Sequence, residues 1–70
     1  MPAMHPEPSD AVRMQLSLPQ ALACALAQFL KRAGYSDYRA LAASEQEAYA
    51  MLHAGECLRA ALAEQGIAPR

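Results

Sequence analysis

The stretch Val12-Arg13-Met14-Gln15-Leu16-Ser17-Leu18 alternates apolar and polar side chains, then runs straight into Pro19 and an alanine-rich helical pattern. A period of two is the mark of a half-buried strand. No other part of the chain offers that strand a partner, and a lone strand leaves a row of backbone donors and acceptors unmet. The pattern therefore predicts a mainly α chain with a short N-terminal strand, paired across a homodimer or against a partner protein.

The interior available to such a chain is thin. Hydrophobic residues make up 54% of 70, but 17 of them are alanine, which favours helix and buries little area. A small core of this kind gains from dimerisation. Net charge is −1, with six basic against seven acidic residues, so no strong field draws in nucleic acid or a membrane surface. Two cysteines are too few for a disulfide scaffold. No apolar run approaches the length of a membrane span, and the N-terminus lacks a signal-peptide layout. The expected setting is cytoplasmic.

Residues 1–11, with Pro2, Pro6 and Pro8, read as a disordered lead-in to a single helical domain over 12–67, and 68–70 as a tail. A helical hairpin fills the domain. Its first helix, about 19–33, opens on Pro19, which is suited to a first turn. It closes on Lys31, Arg32 and a C′ glycine, Gly34. Leu22, Leu26, Phe29, Leu30 and Ala33 share one face at helical spacing. A short second helix, 36–42, starts at Ser36 or Asp37 and carries Tyr38 and Leu41. The third, 44–65, opens on the capping-box pair Ser44 and Glu47 and ends before Gly66. Ala48, Met51, Gly55, Leu58 and Leu62 form its stripe, with Gly55 reading as a point of close helix approach or a kink. The two long helices are expected to pack antiparallel, with Leu22, Leu26, Phe29 and Leu30 against Met51, Leu52, Leu58 and Leu62.

Chemistry-bearing groups are sparse. His53 and Cys57 stand four apart on one helix, the spacing of two metal ligands, but zinc needs three or four. Only Cys24, His5 and carboxylates remain to complete a set. Both residues project away from the apolar stripe, so surface side chains are the reading favoured. No glycine-rich phosphate loop is present, and no catalytic residue, metal or cofactor is expected. The tyrosines Tyr35, Tyr38 and Tyr49 gather around the short helix, and Tyr is enriched where proteins bind one another. Glu45, Glu56 and Glu64 decorate the last helix as a solvated face or an acidic docking surface. These six are the candidate protein-binding residues.

Two resemblances bear on function. Leu16-Ser17-Leu18-Pro19, a helix of about fourteen residues, then Gly34-Tyr35-Ser36 resembles the ribbon-helix-helix DNA-binding dimers over residues 12–41. That resemblance implies Arg13, Gln15 and Ser17 as base-reading side chains and Ser36 as a phosphate contact. The chain departs from it after residue 41, where Ala42 to Glu47 reads as a break and a fresh cap. Its strand also carries a single basic residue. Separately, Leu26 to Arg32, Gly34 to Ala40, Glu47 to Met51 and the terminal Ala68-Pro69-Arg70 resemble short proteins of bacterial integrative and conjugative elements. That resemblance implies a non-catalytic inhibitor of anti-CRISPR type, binding a subunit of a type I CRISPR effector complex. A dimeric DNA-binding repressor or antitoxin is the alternative.

Overall fold

A computed structural model describes residues 11–69. It contains three helices: α1 (Gln20–Arg32), α2 (Tyr35–Leu41) and α3 (Glu45–Glu64). No strand occurs among the described residues, which corrects the expected N-terminal strand and its pairing across a dimer. Residues 11–19 form neither helix nor strand, and all are exposed. The physical reason is that a β ladder needs two partners, and alternation supplies only one. The lead-in of residues 1–11 falls almost wholly outside the described residues.

Helix ends follow local chemistry closely. The Pro19 carbonyl accepts the N–H groups of Leu22 and Ala23, both at 3.0 Å, and no side chain caps α1. Gly34 is not the left-handed stop expected of it. Its φ is −113°, and it serves as the N-cap of α2, donating its N–H to Asp37 Oδ2 at 2.8 Å. The cap of α2 thus falls before Ser36 and Asp37. At α3, Ser44 Oγ accepts from the Glu47 N–H at 3.1 Å. The Glu47 carboxylate reaches one residue further back than in a standard box, to the N–H of Ala43 at 2.6 Å. Gly66, at φ +84°, ends α3 in a Schellman turn. Ile67 there donates to Leu62 O and Gly66 to Ala63 O, each at 2.9 Å.

Both α1 and α2 pack on α3, but they do not pack on each other. Leu30 of α1 lies beside Gly55, while Ala27 lies near Arg59 and Ala60. The two long helices therefore run antiparallel, as expected, but the contact is not the one their large side chains foretell. The buried residues among those described are Ala23, Ala27, Leu30 and Ala48. Leu22 is 55% exposed, Phe29 60% and Leu58 39%. At 3.6 residues per turn, Leu22 and Phe29 lie roughly a third of a turn from the Ala23–Ala27–Leu30 line. Thus α3 covers one edge of the apolar stripe and leaves the other open.

Tyr38 and Gly55 explain the offset. An added Cβ at Gly55 would lie 2.5 Å from the Tyr38 hydroxyl oxygen and 3.6 Å from Leu30 Cδ2. The absent side chain is what lets Tyr38 and Leu30 close over α3. Gly55 is a site of close approach, and it sits within an unbroken helix. No helix among the described residues is long and apolar enough to cross a membrane.

Candidate protein-binding surface

Because α1 and α2 diverge above α3, a groove of about 610 Å³ opens between them. Phe29, Ala33, Tyr38 and Leu41 wall it, with Arg32 and Asp37 also lining it. Leu41 is 81% exposed. The groove continues onto the outer edge of α1, where Leu22 and the half-buried Leu26 extend the apolar surface. Apart from this surface, the arm that precedes Pro19 exposes Val12, Met14 and Leu16. Scattered exposed leucines are ordinary on a protein surface, but a contiguous apolar patch marks an interaction site.

The tyrosines and glutamates expected to bind protein do not form one site. Tyr35 and Tyr49 pack with ring centroids 4.9 Å apart and planes tilted by 35°. Burial raises the Tyr35 phenol above its ordinary value, the charges of Glu45 and Tyr49 add to the rise, and Arg39 opposes it. Tyr35, Tyr49 and Glu45 thus share one patch where α2 meets the start of α3. Tyr38 instead turns toward Gly55 and serves packing while walling the groove. Glu56 lies 3.8 Å from Arg59 in an ion pair one turn along α3. Glu64 stands exposed in the last position of that helix.

The DNA-reading residues fare differently. Arg13, Gln15 and Ser17 lie on the irregular arm and form no ribbon. Ser36 is exposed in the first turn of α2, where the Asp37 carboxylate accepts the Gly34 N–H at 2.8 Å. His53, Cys57 and Cys24 are exposed, both cysteines are free, and no trio of metal-ligating side chains gathers among the described residues.

Phe29, Leu22 and Leu41 escape recognition as surface residues in the sequence because they look like core. A signal does exist. Ala23, Ala27 and Leu30 also repeat at helical spacing, and small residues in such a line permit the close helix approach that Gly55 invites from the other side.

The chain belongs to a family of unknown function, DUF7706, which matches residues 4–70. No curated protein and no solved structure matches it.

Proposed function

We propose that the protein works by binding another protein, through the α1–α2 groove and the apolar edge of α1, and has no catalytic activity of its own. The observation that carries this reading is the placement of Phe29 and Leu41 at the walls of one open groove, largely in solvent. Aromatic and aliphatic anchors in a concave apolar site, rimmed by one cation and one carboxylate, are the makings of a binding hot spot. The groove suits a short amphipathic segment that presents apolar side chains inward. Tyr35, Tyr49 and Glu45 offer a secondary polar contact, with Glu56 and Glu64 further along α3.

Panning a displayed peptide library against the purified chain tests the groove whatever the identity of the partner. Amphipathic peptides should be enriched and should lose binding to a Phe29→Glu/Leu41→Glu variant. Peptides that bind the variant equally well would overturn the assignment. The specific role, inhibition of a type I CRISPR effector complex, is supported by the mobile-element resemblance alone. It predicts co-elution with an effector subunit and loss of interference in cells. The absence of both would remove that role.

A further inference from the structure

We infer that a second copy of the chain occupies this surface in the free protein. In that arrangement α1 pairs antiparallel with α1 of the other copy about a two-fold axis near Leu26, and the arm of each copy lies in the α1–α2 groove of the other. The inference rests on the reading of the groove as a protein-binding surface and names its occupant.

Spacing is the first argument. Leu26 is the middle residue of α1 (Gln20–Arg32), and Leu22 and Phe29 flank it on the open edge. A two-fold axis there sets each Leu22 against Phe29 of the other copy, the self-complementarity that an isologous interface requires. An edge with its anchors at one end only would not satisfy that symmetry.

Reach is the second. α1 is about 20 Å long, and its own groove opens at its C-terminal end, far from the arm that precedes Pro19. Residues 12–18 span at most about 25 Å, so to fill its own groove the arm must reverse at Pro19 and arrive with only its tip. None of the residues lining the groove belongs to the arm. Antiparallel pairing removes the problem, because the start of one α1 then lies beside the end of the other. Each arm continues directly toward the opposite Phe29, Tyr38 and Leu41.

Polarity and charge agree. Val12 and Met14 are 83% and 82% exposed, and they match the apolar walls. Arg13, between them, carries the charge opposite to that of Asp37, whose exposed carboxylate uses one oxygen on Gly34. Arm (12–18), edge (Leu22, Leu26, Phe29) and groove lining together come to 16 residues a side, a small interface beside the roughly 20–30 residues a side of a standard one. No β pairing is involved, since the arm meets helices.

Light scattering on the full chain, coupled to gel filtration at tens of micromolar, decides the matter. The expected mass is twice the 7.5 kDa of the chain, falling to a single chain for Leu22→Glu/Phe29→Glu and for Met14→Asp/Leu16→Asp. Circular dichroism should show helix retained in both variants. A benzophenone photo-cross-linker placed at position 16 should capture the 29–41 region of another copy. A wild-type monomer overturns the inference. So does a dimer that survives both double variants, or a cross-link elsewhere. If the wild type is monomeric yet groove-dependent peptides are still selected, the partner assignment fails and the binding role stands. Where the wild type is a dimer, its groove is occupied by the second copy, so panning is repeated on Met14→Asp/Leu16→Asp, and absence of groove-dependent peptides there removes the binding of other proteins.

Discussion

At the junction of α2 with α3, small side chains do the packing. Ala48 is fully buried, Gly55 admits the Tyr38 ring, and Tyr35 lies against Tyr49. Along the outer edge of α1 the large side chains Leu22 and Phe29 stand in solvent beside the groove and its Leu41. The two regions invert the usual rule that size and apolarity go inward. In this chain, close approach of helix backbones is achieved with alanine and glycine, and the bulky Leu22, Phe29 and Leu41 are left exposed. Burial cannot then be read from hydrophobicity alone, because it depends on which residues let a neighbour come near.

The largest difference is expected between two leucines of the same helix. Leu30→Ala should cost about 2–5 kcal/mol of unfolding free energy, since Leu30 is 6% exposed and its loss leaves a cavity. Leu22→Ala should cost no more than about 0.5 kcal/mol when measured by urea titration at monomeric dilution. Equal costs would mean that α3 covers both edges of α1.

Next in size is the contact at Gly55. Gly55→Ala should destabilise by about 1–2 kcal/mol, because the Tyr38 ring moves as a rigid unit when overpacked. In a Tyr38→Phe background the hydroxyl is gone and the nearest ring atom lies 3.4 Å from the new methyl. The same change should then stabilise by about 1 kcal/mol through helix propensity. A double-mutant cycle in thermal unfolding reads the reversal of sign, and additive effects would refute the close contact.

Smaller again is the cap of α3. Ser44→Ala should cost about 1 kcal/mol, as the Glu47 N–H loses its acceptor, and should fray the first turn in amide exchange. A change that leaves exchange in residues 45–48 untouched would show that the Glu47 carboxylate on Ala43 holds the turn unaided.

The smallest expected effect is a dependence on alkaline pH from Tyr35. Its phenol is raised above the ordinary 10.0, so the folded chain holds that proton more tightly than the unfolded chain. The associated stability is complete below pH 10 and is lost as pH rises through the folded value. Tyr35→Phe should flatten the alkaline decline relative to wild type in denaturation curves between about pH 9 and 12. An unaltered decline would refute the shift at Tyr35.

Much of the fold is legible from neighbours in sequence. Ser44 with Glu47 marks the start of α3, Gly66 its end, and the run from Pro19 to Arg32 gives α1, because caps and periodicity act within a turn or two. Gly34 misleads: a glycine after a basic last turn resembles a stop, and the structure uses it to start the next helix through Asp37. The candidate site is far less legible. Tyr35, Tyr49 and Glu45 come together, but Tyr38 turns inward, which does not follow from spacing, whereas the Glu56–Arg59 pair is the i,i+3 contact that helical spacing allows. Phe29 and Leu41 carry no sign of their common groove, since they lie on different helices whose divergence is fixed by a third.

What the chain determined unaided is where helices begin and end, for those choices rest on hydrogen bonds and dihedral preferences between residues three to six apart. It could not fix the state of residues 12–18, because a strand exists only where another backbone meets it. Nor could it say which edge of α1 is covered. That was decided when Tyr38 and Leu30 closed over Gly55 and the Ala23–Ala27 line took its place against α3. Packing selects the pair of surfaces that approach most closely, and only the assembled helices reveal which pair that is.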